Sequence, residues 1–343
     1  MKNPLVAGVM AAVAIAVLVG CTPVAATPAP SATAAAEPRP TPTGPAPAVA
    51  VPTMPAAALD GDCSVVATDS EVAAATGGPV TATPYPGDHM PDWTVLGLGG
   101  IRCAWAPESG SGVWVTVIPI AAVGQAVIDD AGSSEPYCYG SDSGFGPQDA
   151  CSFSTAVGDW WFAGVVYAAI GSEVAASDAT AALIADFSAR AASHAATIPT
   201  RLDGTWNGVP DCDMLDERVD TTSTGLDLEA TAGNQPGEAG PGFYGAVTAS
   251  GQQTCFWEAD GETVAETGIL PGAWWVVDRQ ATLAGAEPVA AGSLRAVAVP
   301  DSDGSGSVTV YATDGVNLVT SRGTTGVDQL GALAGAVAVG ATG

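Results

Sequence analysis

The strongest constraint on the fold is a pair of cysteines that occurs twice. In the first half of the chain Cys63 follows an aspartate and Cys103 precedes Ala-Trp. In the second half Cys212 follows an aspartate and Cys255 precedes Phe-Trp at a similar separation. The second half has no other cysteine, so its two cysteines pair if that half folds independently. By analogy with that pair, the sequence predicts three disulfides: Cys63–Cys103, Cys138–Cys151 and Cys212–Cys255.

The segments that follow the cysteine motifs also correspond between the halves. Each half has a further strand-like run, at 113–118 and at 274–278. A hairpin pattern follows, with Gly158-Asp159 or Asp314-Gly315 at its turn. Gly and Asp between two runs of β-branched and aromatic residues are a hairpin signal. The hairpin strands are predicted at 153–157, 160–167, 308–313 and 316–321.

A helix is predicted at the start and at the end of each half. Thr68 and Glu71 have the spacing of a capping box for the first helix. Ser177 is expected to cap the helix that closes the first half, which must end before Pro199. The two closing helices have apolar faces, formed by Leu183, Ile184, Phe187 and Ala191 in the first half and by Val327, Leu330, Ala334 and Val337 in the second.

These elements predict an α+β fold in two tandem repeats, each an antiparallel sheet packed with helices and stapled by disulfides. The first domain is expected at 59–198 and the second at 205–343, both of ordinary domain size. The segment between Cys138 and Cys151 has no counterpart in the second half. It is either a recognition loop or a long hairpin segment that the disulfide stabilises.

The N-terminus resembles a bacterial lipoprotein signal. Lys2 precedes an apolar run that ends in Leu18-Val19-Gly20-Cys21, which resembles the lipobox. We therefore expect a signal peptide at 1–20, cleavage before Cys21 and acylation of that cysteine. The alternatives are an uncleaved membrane anchor and ordinary secretion with an incidental cysteine.

The next segment, 21–58, consists almost entirely of Pro, Ala, Thr and Val. Such a composition does not form a packed core and favours extended polyproline-like conformations. The sequence therefore predicts a lipidated, disordered stalk, whose threonines and serines could carry sugars.

The charge balance excludes one class of partner. The chain has 36 acidic and 9 basic residues, for a net charge of −27. Nucleic-acid binding requires clustered Lys and Arg, and docking on anionic headgroups requires the same. The sequence therefore predicts no nucleic-acid partner.

Motifs for catalysis, metals and cofactors are missing from the sequence. There is no nucleophile elbow, phosphate-binding loop or zinc signature. Asp301-Ser302-Asp303-Gly304 resembles the start of a calcium loop, but Ala312 stands where the bidentate acid is needed. The only histidines, His89 and His194, are expected at the surface. Acid–base chemistry would have to use carboxylates, in pairs such as Asp129 with Asp130 or Asp227 with Glu229.

Two tryptophan pairs are the candidate ligand-binding residues: Trp160, Trp161, Trp274 and Trp275. Adjacent residues on a strand face opposite ways, so one ring can fill the core while the other lines a groove for a glycan or an apolar ligand. The alternative is that both rings of a pair are buried.

Several structural motifs resemble those of a known group of proteins. The stretch 62–66, the stretch 70–77 and Cys103-Ala104-Trp105 resemble small actinobacterial cell-envelope lipoproteins of unknown function. They are similar, more loosely, to the disulfide-bonded extracellular sensor domain of the mycobacterial kinase PknH. The resemblance implies an α+β sandwich-like domain that binds a ligand or a partner, and it carries over no catalytic residue.

The anchor, the repeat and the missing catalytic motifs favour a non-catalytic ligand-binding lipoprotein, lipid-anchored to the cell membrane on its extracytoplasmic side. Its partner would be a small molecule, a glycan or an envelope protein. The alternative is an assembly lipoprotein whose acidic surface contacts a protein partner. A carboxylate-dependent hydrolase is the third hypothesis.

Overall fold

The computed structural model describes residues 53–83, 87, 89–106, 112–131, 136–139, 149–168, 173–233, 240–302 and 304–342. All of them belong to one compact unit, 51–343, which contains every described sheet, disulfide and hydrophobic cluster. The predicted signal peptide, Cys21 and most of the stalk lie outside the described residues. The exception is the end of the stalk, where Ala58 is already buried in the core.

The first half, 53–198, contains six helices and one six-stranded antiparallel sheet among its described residues, and the strand order is β1-β2-β3-β6-β5-β4. The helices are α1 (Cys63–Val66), α2 (Asp69–Thr76), α3 (Met90–Gly97), α4 (Ile120–Val123), α5 (Gln125–Asp130) and α6 (Glu173–Ala191). The strands are β1 (Thr81–Ala82), β2 (Ile101–Ala106), β3 (Val113–Pro119), β4 (Tyr137–Tyr139), β5 (Asp149–Val157) and β6 (Trp160–Ala168).

The second half, 205–342, contains a seven-stranded antiparallel sheet in the order β10-β11-β12-β13-β9-β8-β7. Its helices are α7 (Cys212–Arg218), α8 (Gly240–Ser250), α9 (Trp275–Gln280) and α10 (Val327–Thr342). Its strands are β7 (Glu229–Ala232), β8 (Gln253–Ala259), β9 (Glu262–Leu270), β10 (Glu287–Pro288), β11 (Arg295–Pro300), β12 (Val308–Thr313) and β13 (Leu318–Gly323). Short 3₁₀ turns occur at Ala58–Gly61 and Thr221–Thr224.

The α+β class, the two hairpins and the disulfides agree with the sequence. The structure contains the three predicted disulfides, Cys63–Cys103, Cys138–Cys151 and Cys212–Cys255. The capping box is also confirmed, because the Glu71 amide donates to Thr68 Oγ1 and the Thr68 amide donates to the Glu71 carboxylate. Disulfides of this kind are typical of an oxidising, extracytoplasmic compartment.

Two predictions from the sequence were wrong. The run at 274–278 is not a strand, because Trp275–Gln280 forms α9, which buries Trp275, Val276 and Val277. A short apolar run fits a buried helix as well as a strand, and here the sheet is completed by β9 instead. Ser177 does not cap α6, because the good helix formers before it let the helix begin at Glu173.

Each sheet packs one face against helices of its own half. In the first half α6 lies on the sheet, and Phe187 stacks on Phe162 with ring centroids 4.2 Å apart. In the second half α10 has the same role, and it buries Leu330, Ala334 and Val337. The disulfides Cys63–Cys103 and Cys212–Cys255 lie within these two cores.

The other face of each sheet packs against a helix from the other half. Trp93 and Leu96 of α3 contact a buried cluster on the second sheet that includes Leu318. Ala246 of α8 belongs to a cluster with Trp161 on the first sheet. The Thr94 hydroxyl of α3 donates to Oε1 of Gln252, a residue that follows α8, within the core. The two halves therefore exchange a helix.

The approach of α8 to the first sheet requires glycine. A Cβ atom at Gly245 would overlap the Trp161 ring, and one at Gly242 would lie 2.7 Å from Thr116 Cβ. We predict that Gly245→Ala destabilises the fold by about 1–3 kcal/mol through overpacking. Gly97→Ala is the matched control, since a Cβ there meets nothing within 4 Å. Thermal unfolding of both variants measures the effect, and equal melting temperatures would contradict the exchanged packing.

A partly buried ion pair joins the end of α6 to the first two helices. Arg190 donates to both carboxylate oxygens of Glu71, at 2.7 and 3.0 Å, and to the carbonyls of Val65 and Val66, both at 2.9 Å. Burial raises the pKa of Glu71, but the bonds from Arg190 and Thr68 and the Arg190 charge outweigh it and lower this pKa overall. The folded state therefore stabilises the ionised form of Glu71 relative to the protonated form.

The lowered pKa of Glu71 predicts an acid-sensitive contribution to stability. That contribution is present above the pKa of an unfolded glutamate, about 4.3, and is lost as the pH falls through the lower folded value. Glu71→Gln should therefore lose about 1–2 kcal/mol at pH 7 and much less near pH 3. Urea unfolding across this range measures the difference, with the exposed Glu217→Gln on α7 as the control. A Glu71→Gln penalty that is constant with pH would refute this assignment.

Candidate functional site

The candidate site is a cleft on the face of the second sheet that α3 covers. Strand register places Glu266 beside Arg322 and Arg322 beside Thr309. One row further along the strands, Thr320 lies between Gly268 and Tyr311. Side chains opposite each other on one face of an antiparallel sheet interact directly. The first of these rows is therefore polar, and the second row combines polar and apolar residues.

The opposite wall comes from the first half. Met90 and Trp93 of α3 line the cleft, together with His89, the residue that precedes the helix. Trp93 packs edge-to-face on Tyr311, with ring centroids 5.7 Å apart. A Cβ atom at Gly268 would lie 2.8 Å from Met90 Sδ, so glycine provides the space that Met90 occupies.

Helix α9 and the end of β11 close the remaining sides. Gln280, Leu283 and Ala284 line one side, and Val299 to Ser302 line another. The cleft has a volume of about 670 Å³, which is within the range of small-molecule sites. Its walls therefore combine apolar side chains with a few convergent polar groups.

The polar end of the cleft is organised around Arg322. Its Nε donates to Asp301 Oδ2 at 2.6 Å, and the other Asp301 oxygen accepts from the Thr309 hydroxyl at 2.9 Å. Burial raises the pKa of Glu266, and the Arg322 charge opposes this only in part. Asp301 directly follows β11, at the start of the connection to β12.

Two residues of the cleft have buried donors without a partner. Trp93 and Gln280 are 2% and 1% exposed. Among the described residues, Trp93 Nε1 and Gln280 Nε2 lack any hydrogen-bond partner. Buried donors are almost always satisfied in folded proteins. Three further buried atoms of the described residues, Arg102 Nε, Trp275 Nε1 and Ser321 Oγ, also lack a partner, and they belong to residues that do not line the cleft.

A second cleft lies between α8 and the first sheet, with a volume of about 640 Å³. Val165 and Ser152 form its floor, and Tyr139 and Tyr244 lie at its sides. Burial raises the pKa of Tyr139. Asp130 also lines this cleft, whereas the predicted partner in its carboxylate pair, Asp129, does not.

The four tryptophans singled out from the sequence do not line the first cleft. Trp160 is buried under α6 and donates to the His194 carbonyl at 3.2 Å. Trp161 is buried between the halves and donates to Ser154 Oγ at 2.9 Å. Trp275 is buried on α9 and Trp274 is partly buried. Both rings of the Trp160–Trp161 pair are therefore buried, which is the alternative that the sequence left open, because α8 covers the second face of the sheet.

Sequence reasoning missed the residues that do line the cleft. Met90, Trp93, Glu266, Gln280 and Arg322 come from four separate segments that only the tertiary fold brings together. His89 is exposed, as predicted, but it lies at the cleft. The only signal within the sequence was the arginine at the end of a strand-like run, in a chain with few basic residues.

The described residues contain neither a candidate metal site nor a candidate membrane-spanning helix. No group of three or more His, Cys, Asp or Glu side chains among them could hold a metal ion. Across the same residues, no helix is both long and apolar enough to span a bilayer. Most of the loop between Cys138 and Cys151, the candidate recognition loop, lies outside the described part of the chain.

Comparisons with protein-family models, with curated proteins and with solved structures find no match to this chain. The site is therefore interpreted from its own geometry.

The raised pKa of Glu266 predicts that this carboxyl affects stability in the opposite direction to Glu71. Its contribution is fully present below the pKa of an unfolded glutamate and is lost as the pH rises through the folded value. Glu266→Gln should therefore raise the melting temperature by about 2 °C at pH 7 and leave it unchanged near pH 4. The exposed Glu262→Gln on the same strand is the control. Glu266→Gln destabilisation at pH 7 would show that the ionised carboxylate supports the fold.

Proposed function

We propose that this chain is an exported, lipid-anchored envelope protein that binds a small molecule in the cleft between α3 and the second sheet, without catalysing a reaction. The observation that carries the proposal is the cleft itself. It combines a ligand-sized volume, apolar walls from both halves and a few fixed polar groups.

The extracytoplasmic location is supported from two directions. The three disulfides are typical of an oxidising compartment. The N-terminal pattern from Lys2 to Cys21 resembles a lipoprotein signal, and the Pro-rich segment after it would hold the folded unit away from the membrane. Lipid anchoring at Cys21 is part of the proposal.

The proposal also includes a duplication. Reading each half from its first strand, β1-β2-β3-β6-β5-β4 corresponds to β7-β8-β9-β13-β12-β11, and β10 is an addition at the sheet edge. The exchanged helices α3 and α8 each precede the Cys-x-Trp strand of their half. The two clefts also lie at corresponding hairpins, since Ser152 pairs with Val165 as Thr309 pairs with Arg322. Two diverged copies of one unit would explain all three observations.

Native mass spectrometry tests the binding function. The compact unit 51–343 is secreted by an exporting host through an oxidising compartment and purified gently. We expect a retained extra mass that is lost in Ala284→Trp, because the new ring fills the cleft from an exposed lining position. Ala281→Trp is the control, since Ala281 is equally exposed but is not a lining residue.

Two results of this experiment would contradict the proposal, and each has a different meaning. An extra mass that persists in Ala284→Trp would place the ligand elsewhere. A clean mass for the wild-type unit, smaller than the reduced chain by three disulfides, would contradict a tightly held small molecule and favour a protein partner.

A further inference from the structure

The second cleft, between α8 and the first sheet, is lined by a carboxylate and two tyrosines, and none of its described lining residues is basic. Asp130, which is exposed, is the charged residue among them. The segments 132–138, 140–151 and 234–239, which adjoin lining residues in the sequence, contain no Lys, Arg or His. The cleft therefore has a negative electrostatic potential, in a chain whose net charge is −27.

The two tyrosines of this cleft come from different halves of the chain. Tyr139 lies on β4 and Tyr244 lies on α8, where it is 39% exposed. The face of an aromatic ring carries partial negative charge, so it attracts cations. Burial raises the pKa of Tyr139, so this residue remains a neutral ring at neutral pH. Both tyrosines therefore add to the attraction that the carboxylate exerts on a cation.

Covalent and packing constraints hold both tyrosines in position. The disulfide Cys138–Cys151 joins directly paired residues of β4 and β5 and is adjacent to Tyr139 in the sequence. The residue after Tyr244 is Gly245, whose close approach to the first sheet leaves no space for a Cβ atom. The second half has no disulfide that corresponds to Cys138–Cys151. This constraint is therefore specific to the half whose sheet forms the floor of the cleft.

The rest of the wall is apolar or offers hydrogen-bond acceptors. Val127, Val165 and Pro241 contribute apolar side chains. The Thr248 hydroxyl donates to the Tyr244 carbonyl at 3.0 Å, so its oxygen remains an acceptor. Such a wall replaces the water around a bare ammonium group poorly, because that group needs several acceptors. An ammonium group whose nitrogen carries alkyl substituents needs fewer acceptors and gains from burial of those substituents.

Two helix ends at the cleft have opposite effects on its charge. Helix α8 begins at Gly240, and the positive end of its dipole disfavours a cation. Helix α5 ends at Asp130, and the negative end of its dipole favours one. Each helix end corresponds to at most about half an elementary charge, whereas the Asp130 carboxylate carries a full charge. The balance of charge therefore favours a cation.

We propose that this second cleft binds a small organic cation with an alkylated ammonium group, held by the rings of Tyr139 and Tyr244 and by the carboxylate of Asp130. The site is separate from the cleft between α3 and the second sheet, and it does not depend on the function proposed for that cleft. Trimethylammonium compounds are simple members of this ligand class.

The first experiment compares three probes of similar shape that differ in charge. Choline, the neutral 3,3-dimethyl-1-butanol and the anion 3,3-dimethylbutanoate are titrated into the unit 51–343 at pH 7 and about 0.15 M salt, where distant charges are screened. Ligand-observed NMR measures the binding of each probe. We expect choline to bind at least about fivefold more tightly than either of the others. Equal or tighter binding of the alcohol or the anion, or no binding of choline, would overturn the proposal.

The second experiment tests the carboxylate against a neighbouring one. Asp130→Asn removes the charge at the cleft and should weaken choline binding about three- to fivefold. Asp129→Asn is the matched control, because Asp129 is also exposed but does not line the cleft. We expect this control to bind choline as the wild type does. Equal losses in the two variants would indicate general attraction to an acidic surface, and the site would be refuted.

The third experiment separates the ring of Tyr244 from its hydroxyl. Tyr244→Leu removes the ring and should weaken choline binding about fivefold, whereas Tyr244→Phe keeps the ring and should bind within about twofold of the wild type. Tyr244 is partly exposed, so both variants are expected to fold. Equal binding by Tyr244→Leu and the wild type would contradict a role for the ring.

The variant Ala284→Trp distinguishes this site from the first cleft. It fills the first cleft and should leave choline binding unchanged, because Ala284 does not line the second cleft. A loss of choline binding in Ala284→Trp would place the cation in the first cleft and overturn this inference, while the proposed function would stand. Choline binding that survives Ala284→Trp and is weakened by Asp130→Asn supports the second site, even if the first cleft proves to bind nothing.

Discussion

Each sheet of this protein has a second apolar face that its own half covers only in part, and the exchange of α3 and α8 completes that cover. Trp93 and Leu96 complete the core of the second sheet, and Gly242 and Gly245 let α8 lie directly on the first sheet. Burial of these faces contributes much of the hydrophobic stabilisation available to the two halves together. The relative position of the sheets follows from this packing.

The cleft is a consequence of the same exchange. A helix from one half that lies across the sheet of the other leaves space at its N-terminal end, where Met90 faces Gly268. Because both walls belong to packed elements, the polar groups between them are held in fixed positions, as a binding site requires. The Arg190–Glu71 pair has a different role, since it fixes the small helices on the outer face of the first sheet and touches no cleft residue.

More of the fold than of the candidate site could be predicted from the sequence. The β5–β6 and β12–β13 hairpins, the Thr68–Glu71 capping box and the disulfide pairs depend on residues close in sequence or on a repeated pattern, so local rules identify them. Helix α9 was missed because Trp275, Val276 and Val277 have the composition of a strand, and their helical state depends on the core that they enter. The sequence left open whether one ring of Trp160–Trp161 points outward for a similar reason, since no pattern in the first half predicts a covering helix that comes from the second half.

The sequence by itself determined which segments form strands and helices in most of the chain, how the cysteines pair, and that the balance of charge is unsuited to nucleic acid. These properties depend on residue type, spacing and composition. Only the tertiary structure decided that Trp93, Gln280, Glu266 and Arg322 share one cleft, and which buried donors remain without acceptors. The reason is that hydrogen bonding and desolvation depend on neighbours distant in sequence, and the exchange of helices between the halves brings those neighbours together.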